Sequence, residues 1–243
     1  MNNTSIEVKD LCIDYRPLKN MPSIKNLFRE KQERGKIVHA VKNVSFEVNR
    51  GEILGIIGKN GSGKSTMLRA MAGIFQPDSG YIDLKGNSIS LMSIGVGFNE
   101  DISGRKNIVL SGMTLGFTEE EMLRRTPEII DFAEIGDFID MPVRTYSSGM
   151  HSKLAFAITA NLDTDIMLVD EVLSVGDERF KKKSRNKMKE LITDSNRTVI
   201  MVSHEMDVMR ELCDRILWIN DGEMIAIGKT DEIITEYQKY MNG

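Results

Sequence analysis

A glycine-rich stretch, GKNGSGKST, occupies residues 58–66 and carries the side chains best suited to bind phosphate. It follows an apolar run at 53–57 and precedes MLRAMAGIF, which has the pattern of an apolar helix. A strand, a glycine-rich turn and a helix in that order form a P-loop, because backbone N–H groups and the helix N-terminus both point at the phosphates. The alternative, a chance match, is disfavoured by the patterns on either side.

Each residue type in this loop has its own expected role. We expect Lys64 to reach the β and γ phosphates of a nucleotide and the Ser65 hydroxyl to hold Mg²⁺. The N–H groups of residues 61–66 are expected to face the phosphates. The predicted nucleotide-binding residues of the loop are Gly58, Lys59, Asn60, Gly61, Ser62, Gly63, Lys64, Ser65 and Thr66.

Two acidic residues, Asp170 and Glu171, stand directly after a second apolar run at 166–169. We expect Asp170 to meet Mg²⁺, usually through a water, and Glu171 to act as the general base that polarises the attacking water. Acidic residues at such a position also cap the helix that follows a strand, which is the alternative. The presence of the P-loop favours the catalytic roles.

A third apolar run, at 199–202, is followed by Ser203 and His204. Continuous apolar runs are typical of strands buried on both faces of a parallel sheet. Because ligands bind beyond the carboxyl ends of such strands, one crevice is expected to collect the P-loop, the acidic pair and His204. His204 is therefore a candidate contact to the γ phosphate, although a lone histidine is more often structural.

A run of small residues, YSSGM at 146–150, precedes a helical pattern with Leu154, Ile158 and Leu162 on one face. Serine favours the N-cap of a helix, and small side chains let a phosphate approach the exposed amide groups closely. The stretch is thus either a second phosphate contact or an ordinary helix cap.

The remaining patterns predict a mixed sheet with a helical insertion. Apolar residues alternate with polar ones around Phe46, which predicts an antiparallel strand, and RILWIN, Asp-Gly, EMIAIG at 215–228 predicts a hairpin. Residues from about 101 to 161 have helical spacing, broken by Pro127 and Pro142. The predicted fold class is α/β: a P-loop NTPase domain with a mixed β-sheet core, an antiparallel β subdomain and an inserted helical subdomain.

Composition bounds the function classes. The chain has 243 residues, 41% of them hydrophobic, a net charge of −4 and a pI near 5.6. This balance gives no general attraction to nucleic acid, which needs clustered Lys and Arg. Only two cysteines occur, Cys12 and Cys213, far apart and outside metal-ligand spacing, so the sequence indicates neither a zinc motif nor a disulfide framework. No signal-peptide pattern and no membrane-spanning run is seen, so any membrane role is expected to come through a partner.

A P-loop, a small-residue signature before an acidic strand and a histidine one strand later resemble the nucleotide-binding domain of ABC ATPases over nearly the whole chain. In that family the signature of one subunit covers the ATP held by the other. The resemblance implies that Ser147 and Gly149 bind the γ phosphate of a partner's ATP. It also implies that Asp177, in SVGD, lies in the loop that crosses the dimer seam, and that His204 is the switch histidine.

The sequence motifs are most similar to those of the polysaccharide-export branch of that family, the O-antigen (Wzt-like) and teichoic-acid (TagH-like) types. The similar stretches are TYSSGM, DEVLSVGDERFKKK and GVGFNEDISGRKNI. The chain departs from the commonest motifs of the family at three positions. Ser148 stands in place of a glycine, Met150 in place of a glutamine and Val172 in place of a proline. Asn99 occupies the place of the Q-loop glutamine, and for its shorter amide a water bridge to Mg²⁺ is an alternative to direct coordination.

Two features near the N-terminus are less defined. The segment from about 16 to 40 is longer than most such domains carry, and it has apolar residues at helical spacing, among them Ile24 and Phe28, with basic residues around them. This pattern fits an amphipathic helix at a membrane surface or against a permease, or else a solvated insertion. Adenine is expected to stack on Tyr15, with His39 as the second choice.

The resemblance implies one ABC-type ATPase domain over residues 1–243, dimerising head to tail around two ATP molecules with Mg²⁺. It implies ATP hydrolysis coupled to export of a lipid-linked polysaccharide of O-antigen, capsule or teichoic-acid type through a separate integral-membrane permease. The expected location is the cytoplasmic face of the plasma membrane, and no C-terminal sugar-binding domain and no nucleic-acid partner are expected. Another cargo, such as a drug or small lipid, is the main alternative. A DNA-maintenance ATPase would need a long coiled coil between P-loop and signature.

Overall fold

A computed structural model describes residues 3–15, 37–92, 97–170, 177–194 and 196–242; Glu171 and most of the predicted 16–40 insertion lie outside these ranges. The strands are β1 (Thr4–Tyr15), β2 (Val38–Asn49), β3 (Ile53–Ile57), β4 (Ser79–Asp83), β5 (Ile89–Met92), β6 (Ile166–Asp170), β7 (Thr198–Val202), β8 (Arg215–Asn220) and β9 (Glu223–Lys229). The α-helices are α1 (Lys64–Met71), α2 (Gly104–Thr114), α3 (Glu119–Ala133), α4 (Ser148–Ala160), α5 (Glu178–Ile192), α6 (Met206–Leu212) and α7 (Thr230–Asn242). Short 3-10 helices lie at Gly136–Asp140 and Val143–Thr145. In the described ranges, no helix is both long and apolar enough to cross a bilayer.

The main sheet has six strands in the order β5-β6-β7-β3-β8-β9. Its first five members in that order run parallel, and β9 is antiparallel to β8. The three strands predicted from apolar runs are confirmed, with β6 extended to Asp170 and β7 beginning at Thr198. Because β6, β7 and β3 are direct neighbours, their carboxyl ends lie side by side, as the sequence predicted.

A second, antiparallel sheet has the order β2-β1-β4. Val44, Phe46 and Val48 of β2 are buried, as the alternating pattern predicted, and they join one apolar core with α1 and the main sheet. The long β1 strand has register shifts against β2, and Asp10 within it has a φ of 49°. These irregularities disturb the period of two on which a strand prediction depends, and β1 had not been predicted.

The predicted hairpin near the C-terminus is confirmed. Strands β8 and β9 pair antiparallel, and the Asp221-Gly222 turn has φ values of 47° and 83°. Positive φ at both central residues is the geometry of a tight hairpin turn, which Asp-Gly tolerates. Helix α7 then packs back on this hairpin through Ile233, Ile234 and Tyr237.

Helices α2 to α4 form a helical lobe with its own apolar core. The prediction that Pro127 breaks the helical pattern is wrong, because Pro127 lies inside α3. Pro127 lacks the N–H that would donate to the carbonyl of Leu123, a residue on the exposed side of α3 at 57% exposure. A capping box between Thr118 and Glu121 fixes the start of the helix. Pro142 does separate the two 3-10 helices.

Asn107 ties the lobe to the segment that contains Asn99. Its side chain is fully buried, and its Oδ1 accepts from the backbone N–H of Asn99 at 2.7 Å. Its Nδ2 group lies within hydrogen-bond distance of the carbonyl oxygens of Asn99, Ile102 and Ser103, at 2.9, 3.2 and 3.1 Å. One amide thus satisfies several backbone groups of the segment 99–103 that leads into α2.

Replacing Asn107 with alanine is expected to lower the free energy of unfolding by about 1–3 kcal/mol, because it leaves buried backbone groups without partners. Thr114→Ala, on the exposed face of the same helix, is the matched control and is expected to change stability by less than about 0.5 kcal/mol. Urea unfolding of the two variants measures the difference. Equal midpoints for both variants would show that the Asn107 contacts do not stabilise the lobe.

Candidate functional site

The P-loop joins β3 to α1 and requires glycine at two points. Gly58 has a φ of 152°, and a Cβ atom there would lie 2.1 Å from the carbonyl oxygen of Ile219. Gly63 has a φ of 102°, and a Cβ atom there would lie 2.2 Å from the carbonyl oxygen of Ala40. Both positions exclude a side chain, because backbone from β8 and β2 packs directly against the loop.

Lys64 turns its ammonium group back into the loop. Its Nζ donates to the carbonyl oxygens of Gly58 and Lys59, at 2.8 and 2.9 Å. The residue is only 7% exposed. These contacts hold the ammonium inside the loop, so the loop carries a positive charge where an anion would bind. Phosphate oxygens match this charge and its donors.

Ser65 and Asp170 link the P-loop to the next part of the sheet. The Ser65 hydroxyl donates to Asp170 Oδ1 at 3.0 Å, which joins the first turn of α1 to the end of β6. Hydroxyl and carboxylate oxygens are the ligand types that Mg²⁺ prefers, so this pair fits the ion expected there. Glu171, the predicted general base, is the next residue in sequence and lies outside the described ranges.

A cleft of about 330 Å³ opens over the P-loop. Its walls include residues 60–66, His204 after β7, and Tyr15 and His39 from the antiparallel sheet. These predicted residues, from four separate parts of the chain, are thus brought together. Four other predicted contacts do not line this cleft. They belong to the helical lobe and the start of α5: Asn99, Ser147, Gly149 and Asp177.

Tyr15 and His39 lie at the mouth of this cleft on paired strands. The Tyr15 hydroxyl is 3.1 Å from Thr66 Oγ1, and its ring meets that of Phe75 edge-on, with centroids 5.8 Å apart. His39 Nδ1 is 2.7 Å from Asp14 Oδ1. The Tyr15 ring is therefore fixed in place while 37% of the residue stays exposed, available to a flat ring.

The Asn99 side chain is engaged within its own loop. Its Oδ1 accepts from the backbone N–H of Asp101 at 3.0 Å. Its backbone N–H and carbonyl are both bonded to Asn107. The second lone pair of this oxygen is left to meet a cation, whereas a hydrogen bond to a phosphate would have to come from the Asn99 Nδ2 group.

The Asn99 loop is joined to the segment that leads into α4. The carbonyl oxygens of Glu100 and Ile102 accept from the N–H groups of Arg144 and Val143, at 3.0 and 3.1 Å. The Arg144 guanidinium forms an ion pair with Asp101 at 2.6 Å. Backbone and side-chain contacts together make these two segments one unit, although they are more than forty residues apart in sequence.

The start of α4 is formed by the small residues predicted to contact phosphate. Ser147 is the N-cap, and its hydroxyl accepts from the N–H of Met150 at 3.2 Å. The first helical turn contains Gly149, where an added Cβ would meet only Ser147 Oγ within 4 Å. The His151 ring lies against that of Phe98 at 4.9 Å. The structure thus shows the cap, and the α4 N-terminus is sterically open at Gly149.

Asp177 stands at the N-cap of α5. Its carboxylate accepts from the N–H of Phe180 at 2.9 Å and pairs with Lys153 of α4 at 2.6 Å. The Lys153 contact first, and the Phe180 N–H second, lower the pKa of Asp177 from its ordinary 3.8 to about 2. Lys153 is mostly buried, with 15% of its side chain exposed, so α4 and the start of α5 are tied together.

A family profile described as "ABC transporter" matches residues 41–174, from β2 through the P-loop and α4 to the end of β6. This range contains the loop, Ser65, Asp170 and the capped start of α4. The chain belongs to the ABC transporter family. A dimeric ATP-binding cassette solved in a post-hydrolysis state with ADP and Pi has the same fold, with a TM-score of 0.69 at 22% identity, covering 93% of this chain and 98% of that one.

Curated ABC proteins match at higher identity. The O-antigen export system ATP-binding protein RfbB of Myxococcus xanthus is 43% identical over 203 residues, 84% of this chain and 46% of that protein. The teichoic acids export ATP-binding protein TagH of Bacillus cereus (strain ZK / E33L) is 41% identical over 241 residues, 98% of this chain and 43% of that protein. The chain therefore spans about half the length of these relatives.

Three contacts in this region had not been predicted: the Asn107 amide, the Arg144–Asp101 pair and Lys153. Asn107 carried a weak signal, as a polar residue inside a helical pattern. The two ion pairs join residues 43 and 24 positions apart, so no local pattern identifies them.

Asp177→Asn is expected to lower the melting temperature at neutral pH, because the amide keeps the N-cap but loses the ion pair with Lys153. The folded carboxyl has the lowered pKa, so its stabilisation is complete above 3.8 and is lost as the pH falls toward about 2. Thermal unfolding of both proteins across this range should show their melting temperatures converging. A difference that persists unchanged to the lowest pH would contradict the assignment.

Proposed function

We propose that this chain is the ATP-hydrolysing subunit of an ABC transporter that exports a lipid-linked polysaccharide. The observation that carries the catalytic part is the arrangement at the P-loop, where the Lys64 ammonium and the Ser65–Asp170 pair lie together at the carboxyl ends of β3 and β6. A buried ammonium beside a hydroxyl and a carboxylate oxygen is the combination of groups that binds a nucleoside triphosphate with Mg²⁺. The export part is supported by the names of the relatives.

In the proposed reaction, the P-loop binds the phosphates and Lys64 neutralises charge on the β and γ groups. Ser65 and Asp170 would hold Mg²⁺, which supplies charge stabilisation when bound. Glu171 polarises the attacking water, and His204, from the cleft wall, contacts the γ phosphate. Tyr15 supplies the flat face for adenine.

A second copy of the chain completes each site in this proposal. Ser147, Gly149 and Asp177 are not among the residues that line the P-loop cleft. Their position on α4 and at the start of α5 instead suits contact with a nucleotide held by another protomer. A head-to-tail pair then encloses two ATP molecules, an arrangement consistent with the dimeric cassette that shares this fold. Asn99 contacts the chain's own nucleotide from the linked 99–102 segment.

The cargo and permease are inferred from the relatives. Both are named as export ATP-binding proteins, one for O-antigen and one for teichoic acids. An integral-membrane permease would carry the polymer, and this chain would bind that permease at the cytoplasmic face of the plasma membrane. Hydrolysis then reopens the closed dimer and resets the permease.

Glu171→Gln is expected to leave MgATP binding intact and to lower hydrolysis by about two to four orders of magnitude, since it removes the general base. Lys64→Ala is the complementary variant and should lose nucleotide binding, because the loop loses its charge. Calorimetric titration with MgATP and a phosphate-release assay separate the two effects. Turnover of the Glu171 variant within fivefold of wild type would refute the role of that residue.

The transport part is tested by purifying the chain with a co-expressed permease from the same gene cluster and measuring ATP turnover in liposomes. Addition of a lipid-linked glycan is expected to change turnover, while a matched lipid carrier without the glycan is not. Stimulation by a drug-like or small-lipid cargo, with no response to glycan, would overturn the proposed cargo and leave the ATPase assignment in place.

A further inference from the structure

The P-loop touches the C-terminal helix through a cation–π contact. The ammonium of Lys59, the second residue of the loop, lies 4.6 Å from the centroid of the Tyr240 ring. Tyr240 belongs to the last turn of α7 and is 46% exposed. A lysine ammonium over an aromatic face at this distance is attracted by the electron density of the ring.

Tyr240 is itself held against the main sheet by an aromatic cluster. Its ring lies 5.2 Å from that of Trp218, and Trp218 contacts Tyr237 edge-on at 5.5 Å. Trp218 is 7% exposed and sits on β8 beside Ile57, the last residue of β3 before the P-loop. The ring that meets Lys59 is therefore anchored at the base of the loop.

The hairpin before α7 supports the same loop from a second point. The N–H of Gly222 donates to the carbonyl oxygen of Ser62 at 3.1 Å, and the Gly222 carbonyl accepts from the N–H of Lys42 at 2.8 Å. The segment from β8 to α7 thus contacts the loop at its second and fifth residues. It forms an outer support for the phosphate site.

The Lys59 contact leads directly to the charged group of the site. The Lys59 carbonyl oxygen is one of the acceptors of Lys64 Nζ, at 2.9 Å. Fixing the Lys59 side chain restricts rotation of that residue, and therefore limits how far its carbonyl can turn away from Lys64. A loop held in its binding shape beforehand loses less entropy when the ligand arrives.

We propose that Tyr240 is a positioning residue for MgATP, acting through Lys59 to keep Lys64 in place. This inference rests on the proposed ATPase function. The Lys59–Tyr240 contact favours binding of the phosphates in the ground state. Neither side chain is assigned a role with the attacking water. Loss of the Tyr240 ring therefore weakens MgATP binding and leaves kcat unchanged.

The test compares Tyr240→Leu, which removes the ring, with Tyr240→Phe, which keeps it. Tyr240→Leu is expected to raise the dissociation constant and the KM for MgATP about two- to fivefold, the size of an exposed cation–π contact, with kcat unchanged. Tyr240→Phe is expected to match wild type. Equal weakening by both variants, or an unchanged dissociation constant in Tyr240→Leu, would overturn the proposal.

Trp218 offers an independent readout, because it is the single tryptophan of the chain. MgATP is expected to change its emission in wild type and in Tyr240→Phe, and to leave it unchanged in Tyr240→Leu. In a Lys59→Met background, Tyr240→Leu should add no further loss of affinity, since the two residues act as a pair. Additive losses, or the same emission change in every variant, would contradict the link.

Lys64→Ala separates this inference from the proposed function. If Lys64→Ala binds MgATP as wild type does, the ATPase assignment itself fails. If Lys64→Ala loses binding while Tyr240→Leu behaves as wild type in affinity and emission, only the role of Tyr240 fails.

Discussion

An ammonium group taken out of water needs oxygen atoms around it, and Lys64 obtains them from its own loop. The carbonyls of Gly58 and Lys59 accept hydrogen bonds from it, which requires the tight path that glycine allows. The adjacent parallel strands then bring Asp170 and His204 to the same edge of the sheet. The site follows from this one buried charge and from the strand order that places Asp170 and His204 at the same edge of the sheet.

The helical lobe carries a second set of predicted site residues, Ser147 and Gly149, and is attached to the Asn99 loop. The Asn107 side chain forms hydrogen bonds with that loop, and Arg144 joins the loop to the segment before Ser147. In the proposed dimer, the Asn99 loop belongs to the chain's own nucleotide and Ser147 to the partner's. In that dimer, a shift of the Asn99 loop would move the segment that leads to Ser147, and the two proposed centres would be coupled through these contacts.

Sequence patterns predict those parts of the fold that depend on residues close together in the chain. The strand at 53–57 and the Asp-Gly turn at 221–222 are predicted correctly. Burial on both faces requires a continuous apolar run, and positive φ favours Asp-Gly, so both features are visible in the sequence. The predicted break at Pro127 is wrong, since the hydrogen bond that proline removes lies at Leu123 on the exposed side of α3. The Lys59–Tyr240 contact and the Lys153–Asp177 pair join distant residues, and only the folded chain brings them together.

In the proposed dimer, each protomer completes the reaction centre of its partner. This reciprocity is tested by mixing chains that carry Lys64→Ala with chains that carry Ser147→Arg, each inactive alone, and measuring phosphate release after confirming that mixed pairs form. A mixed pair holds one intact P-loop facing one intact signature, so turnover is expected to return. If mixed pairs form and remain inactive, the two groups do not act across the dimer, and the proposed arrangement is wrong.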